Sequence, residues 1–147
     1  MKIGVPAEVK NNEHRVGLTP ESVKTLNDLG HQLFVQSNAG HAIGFTNELY
    51  ESVGAKIFDS AAEVYSSSDL IIKVKEPVEA EFQFLRADLS LFTYLHLAGD
   101  PVQAKKLLET GITGIAYETV TSDDGSLPLL APMSAIAGQL GVVVGSY

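Results

Sequence analysis

The chain contains no cysteine. That removes disulfide frameworks, thiolate metal sites and thiol nucleophiles, and it fits a reducing compartment, with the cytoplasm as the expected location. Basic residues are also scarce. Ten Lys and Arg stand against eighteen Asp and Glu, for a net charge of -8 over 147 residues. Such a balance argues against a nucleic-acid surface or an anionic membrane as partner, and an anionic ligand needs a local positive pocket. The phosphate-binding fingerprint G-x-G-x-x-G is missing; Gly138, Gly141 and Gly145 fall within a helical stretch, not at a strand-to-helix turn. The N-terminus MKIGVPAEVK lacks the apolar core and small-residue cleavage site of a signal peptide. His14, His31 and His41 sit in polar segments without ligand spacing, so no metal site is expected. The one long uncharged stretch, residues 127–147, is interrupted by Pro132. A helix over 133–147 would be about 22 Å long, short of the roughly 30 Å of a bilayer core, and reads as a buried helix and not a membrane span.

What the chain does have is alternation of short apolar runs with capped helical segments. Thr19 followed by Pro20 is an N-cap with proline at the first helical position, and Gly30 is the matching stop. Thr46 caps a helix ending at Gly54, and Ser60 with Glu63 has capping-box spacing for a short helix over 61–66. Asp100 and Pro101 open a helix through Leu108 that Gly111 ends, and residues 78–86 read as another short helix. Strands are expected near the N-terminus and over 33–35, 56–58, 70–74, 90–95 and 113–117. Strict alternation of this kind predicts a doubly wound, mostly parallel α/β sheet with helices on both faces. In the terminal helix, Ala137, Gly141 and Gly145 lie four apart while Ile136, Leu140, Val143 and Val144 spread apolar area over other faces. Such a helix needs covering, so association or continuation of the chain is expected.

Three segments each deliver a cationic or protonatable side chain just past such a run or loop: Arg15 in NNEHRVGLTP, Lys75 in LIIKVKEP and His96 in LSLFTYLHLA. In a parallel α/β sheet, ligands collect beyond the carboxyl ends of the strands. An Arg fork for a carboxylate, a Lys beside an oxo oxygen and a His to move a proton form a coherent set for a 2-oxo acid. Each has a plainer alternative. Arg15 can be a solvated loop arginine, Lys75 a turn lysine paired with Glu76 or Glu79, and His96 a satisfied core histidine. Glu118 reads as a strand-end carboxylate. Ser134, in the first turn of the terminal helix, either meets a phosphate there or caps the helix.

Taken together, VPAEVKNNEHRVGLTP, LIIKVKEP, LFTYLHLA, GIAYETV and LPLLAPMSAIAGQLGVVVG resemble the N-terminal region of the alanine dehydrogenases across essentially the whole chain. The alpha subunit of the proton-translocating transhydrogenases is similar at EHRVGLTP and at the APMS helix, but does not usually carry KVKEP or the FTYLHLA histidine. Lys75 and His96 therefore favour the dehydrogenase, and saccharopine dehydrogenases resemble the chain more distantly.

That resemblance implies reversible NAD-dependent oxidative deamination of L-alanine to pyruvate and ammonium. It implies that Arg15 and Lys75 bind the substrate, that His96 and Lys75 are catalytic, and that Ser134 contacts NAD. Lys75 acting as an imine-forming nucleophile is the lesser reading. It further implies that residues 1–130 are the first segment of a Rossmann-like substrate domain, here incomplete, and that 131–147 is a connecting helix toward an NAD-binding domain outside the chain. A homo-oligomer is expected, and the isolated chain is expected not to turn over alanine. The alternatives are a transhydrogenase-like domain or a non-catalytic 2-oxo-acid binding or assembly module.

Overall fold

A computed structural model describes all residues, Met1–Tyr147. Six strands form one sheet: β1 (Lys2–Val5), β2 (Gln32–Gln36), β3 (Lys56–Phe58), β4 (Leu70–Ile72), β5 (Ser90–Thr93) and β6 (Thr113–Ala116). Their spatial order is β3-β2-β1-β4-β5-β6, and every neighbouring pair is parallel. The helices are α1 (Pro20–Asp28), α2 (Asn47–Ser52), α3 (Ala61–Ser67), α4 (Pro101–Thr110) and α5 (Ala131–Gly145). The doubly wound class expected from the sequence is the one found.

Local capping chemistry starts the helices where the sequence predicts. The Thr19, Thr46, Ser60 and Asp100 side chains each accept the N–H three residues on, and Ser60 with Glu63 completes a capping box. Gly30, Gly54 and Gly111 take positive φ just past α1, α2 and α4. Alternation along the strands then splits the core into two layers. Ile3, Val5, Leu33, Val35 and Ile72 pack with Val23 of α1 and Tyr50 of α2. Ile71 and Leu91 pack with Val64 and Tyr65 of α3 and Leu107 of α4 on the other side.

Four expectations need adjusting. The stretch 78–86 is a 3-10 helix over Glu79–Phe84, pulled tight because Glu81 turns inward and accepts the N–H of Val78 at 3.0 Å. β4 ends at Ile72 and not at Val74, because the Val74 N–H is taken by the Glu8 carboxylate instead of by β1. β5 ends at Thr93, before Leu95. The terminal helix starts at Ala131, with Pro132 accommodated in its first turn, and none of its residues is buried; Val142 is 75% and Val144 72% exposed. No helix is long and apolar enough to cross a membrane.

The order of the sheet reverses between β1 and β4, so the chains leaving these adjacent strands diverge and open a crevice at their carboxyl ends. Gly17 lets the first of them lie close: a Cβ there would collide with the backbone carbonyl of Ile72 at the end of β4. Gly17→Ala is expected to destabilise the fold by about 1–3 kcal/mol, the usual penalty for overpacking against rigid backbone. Urea denaturation measures it, and an unchanged midpoint would show that the loop yields freely.

Candidate active site

The crevice at the switch point is a cleft of about 500 Å³. Its walls are chiefly apolar, including Val74, Phe92, Tyr94 and Tyr117, and Arg15 is the one charged residue among them. An apolar cleft with a single convergent charge is the ordinary form of a small-molecule site. Tyr94 and Tyr117 meet edge to face at 4.9 Å, and the Tyr94 hydroxyl donates to the Leu129 carbonyl at 2.7 Å. Burial pushes the Tyr117 phenol well above its ordinary value, so it stays a neutral donor.

Arg15 is not a freely solvated loop arginine. Glu13 accepts from its Nε at 2.8 Å and its Nη2 at 2.6 Å, and also from its backbone N–H at 3.0 Å. A guanidinium has five N–H donors. Glu13 takes the side-on pair, which leaves the end-on pair on Nη1 and Nη2 for a second carboxylate. Nη1 lies 3.9 Å from the sulfur of Met133, at the start of α5. The hydrogen bonds from Arg15 hold the Glu13 carboxyl down at about 2, so the pair stays ionised throughout the physiological range.

Lys75 lies one residue beyond Val74 of the cleft wall. The partners that would make it an ordinary turn lysine are taken: Glu76 pairs with Lys10 and Glu79 with Lys106. Lys75 itself forms no ion pair. It is close enough to Glu13 for its charge to help hold that carboxyl down.

His96 stands at the rim, its ring stacked on Tyr94 with centroids 6.0 Å apart. It is exposed, so the core-histidine alternative does not hold. Its backbone is left-handed, φ 50°, because the Glu118 carboxylate draws in the successive N–H groups of Leu95 and His96 at 3.1 and 2.7 Å. Glu118 thus acts on the backbone of the β5 loop, as a strand-end carboxylate does. Ser134 is exposed on α5, one residue past Met133. Its N–H donates to the Leu130 carbonyl at 3.1 Å, and Leu130 occupies the cap position, so Ser134 neither caps the helix nor offers a free amide. The structure therefore brings Arg15, Lys75 and His96 to one end of the sheet, with Ser134 on the helix that adjoins it.

Sequence reasoning passed over the group beneath this site. Lys73 is fully buried, 2.5 Å from Glu81 Oε1 and 3.5 Å from Glu8 Oε2. The Tyr65 hydroxyl donates to the same Glu81 oxygen at 2.9 Å. The available signal was the lysine interrupting the run LIIKV, since a charge inside a two-sided strand has to be paired.

A family model described as Alanine dehydrogenase/PNT, N-terminal domain matches residues 4–137, a span that holds Arg15, Lys75, His96 and Ser134. The chain belongs to the alanine dehydrogenase/PNT family. Among its relatives, an alanine dehydrogenase of Staphylococcus epidermidis is 49% identical over 146 residues, covering 99% of this chain and 39% of that protein. A solved L-alanine dehydrogenase superposes with a TM-score of 0.92 at 48% identity over 99% of this chain and 40% of its own. A transhydrogenase from Sinorhizobium meliloti superposes less closely, with a TM-score of 0.74 at 27% identity over 80% of this chain and 35% of its own. The chain thus spans about two fifths of the length of its alanine dehydrogenase relatives.

Two outcomes follow from these charges. Because the Glu13 carboxyl is a stronger acid in the folded than in the unfolded chain, its contribution to stability is complete above the ordinary carboxylate value near 4.5 and is lost as pH falls through about 2. Comparing the acid denaturation of the wild type with that of Glu13→Gln is expected to show a constant gap above pH 4.5 that closes over this window; a gap that does not vary with pH would refute the assignment. Lys73→Met strands two buried carboxylates and is expected to cost about 3–5 kcal/mol in urea denaturation at neutral pH.

Proposed function

We propose that this chain is the substrate-binding segment of an NAD-dependent alanine dehydrogenase, which interconverts L-alanine and pyruvate plus ammonium. What carries the reading is Arg15: it is the one charged side chain in an apolar cleft, and its free end-on donors match a single carboxylate. Lys75, lacking an ion pair at the rim, is the cation for the neighbouring oxo oxygen, where negative charge develops as ammonia adds to the carbonyl carbon, before that oxygen leaves as water and hydride reaches the resulting iminium carbon. His96, exposed beside Tyr94, exchanges the proton of the carbinolamine that ammonium and pyruvate form. The apolar walls leave room for the small methyl group and keep water from the reacting carbon.

The nicotinamide cofactor supplies the hydride acceptor when bound. The residues of this chain do not make a dinucleotide cradle. The connection from β1 to α1 has no glycine-rich turn, and Thr19 already caps the first turn of α1. Ser134 on α5 is the contact assigned to NAD, and the remainder of that site lies in a domain beyond 131–147, for which those residues are the connector. Residues 1–130 are then the first part of the substrate domain. A homo-oligomer and a cytoplasmic setting belong to the same reading.

The test is calorimetric titration of the chain with pyruvate. Saturable heat is expected, with Arg15→Ala weakening binding by about 10- to 100-fold, the loss typical of a charge-assisted hydrogen bond. Lys75→Arg is expected to keep partial affinity, and a borohydride-trapped pyruvate adduct on Lys75 would replace the charge-clamp role with imine chemistry. The chain alone is expected not to oxidise NADH with pyruvate and ammonium, since the hydride donor lacks its platform. No heat with wild-type protein would overturn the reading.

A further inference from the structure

The main chain of Lys75 is held from two sides by buried side chains that come from other strands. Glu8, on the segment after β1, has a side chain 2% exposed. Its Oε1 accepts the N–H of Val74 at 2.6 Å and that of Lys75 at 3.4 Å. Thr93, the last residue of β5, is fully buried and its hydroxyl donates to the Lys75 carbonyl at 2.8 Å. The other Glu8 oxygen faces the buried ammonium of Lys73, which Glu81 holds in turn.

We propose that Glu8 and Thr93 form a buried clamp on the Lys75 peptide and are positioning residues for its ammonium, with Lys73 as the buried counter-charge. The proposal rests on the 2-oxo-acid reading of the cleft and extends it to residues that do not touch the ligand. The turn Lys75-Glu76-Pro77 stands outside β4, where a lysine would normally be tethered by the strand on one side only. Here a side chain from the segment following β1 and one from the end of β5 converge on the two peptide groups that flank Lys75. Burying a carboxylate to hold it is costly: desolvation raises the Glu8 carboxyl above its ordinary value even with Lys73 beside it. A turn lysine with only a solubility role needs no such anchoring, whereas one that meets a defined atom of a small ligand has to start from a fixed backbone. Lys75 is also the lysine of this loop region left without an ion pair, while Lys10, Lys73 and Lys106 are all engaged.

The experiment uses Thr93→Val, which keeps the shape and removes the hydroxyl, and Thr93→Ser, which keeps the hydroxyl and loses the methyl. Two quantities are read: exchange of the Lys75 backbone amide by NMR, without ligand, and pyruvate affinity by calorimetry. Thr93→Val is expected to speed Lys75 amide exchange and to weaken pyruvate by about five- to tenfold. The exchange of core amides such as that of Val35 stays as in the wild type, and Thr93→Ser remains close to wild type in both readouts. A purely packing role predicts the reverse ranking, with the serine variant the more damaged, and that result would overturn the proposal. So would a valine variant whose Lys75 exchange is unchanged. Glu8→Asp keeps the charge facing Lys73 but shortens the reach to the two N–H groups; faster exchange at Lys75 is expected, and unchanged exchange removes Glu8 from the clamp. If the wild type gives no heat with pyruvate, the oxo-acid reading has failed, while the exchange data still decide the clamp.

Discussion

A fully buried ammonium is tolerated only where carboxylates meet it, and Lys73 is met by two that belong to different parts of the chain. Glu8 comes from the segment leaving β1 and Glu81 from the 3-10 helix after β4. These are the two segments that diverge at the reversal of the sheet, and the cleft lies between them. Without the lysine, both carboxylates would be buried with no counter-charge, leaving only their hydrogen bonds from Val74, Lys75, Tyr65 and Val78 to hold the segments over the strand ends. The position of the cleft walls therefore depends on a charge that never touches the solvent in the cleft.

On top of that anchor, the site is assembled from backbone more than from side-chain contacts among its members. Gly17 lets the Arg15 segment lie against the end of β4, Glu8 and Thr93 hold the peptide of Lys75, and Glu118 holds that of His96. Each of these candidate side chains is thus fixed at its root, while at the tip Lys75 forms no ion pair and Arg15 is oriented by Glu13. This suits a cleft whose ligand is small and must be reached from several directions.

Legibility in the sequence followed chain distance. The caps at Thr19, Thr46, Ser60 and Asp100 act over three residues, and they could be read directly. The fold class followed from the alternation they punctuate, and Lys75 and His96 stood out as candidates by their place beyond apolar runs, Arg15 by its place in a polar loop before α1. The strand order did not, because parallel pairing of β1 with both β2 and β4 is a choice among topologies that local signals do not encode. The contact of Glu8 with Val74 spans 66 residues and has no local signature. The left-handed turn at His96 is imposed by Glu118, 22 residues away, so the histidine that looked like the end of a strand is an exposed rim residue.

The pairing of Arg15 with Glu13 bears on the entropy of recognition. An arginine waiting in solvent samples many rotamers, and freezing it on a ligand costs about 0.5–1.5 kcal/mol. Here the guanidinium is already oriented by its neighbour two residues back, so that ordering is complete when the protein folds and not when the ligand arrives. Association with the proposed carboxylate then begins from a preset face, and dissociation restores little disorder to it.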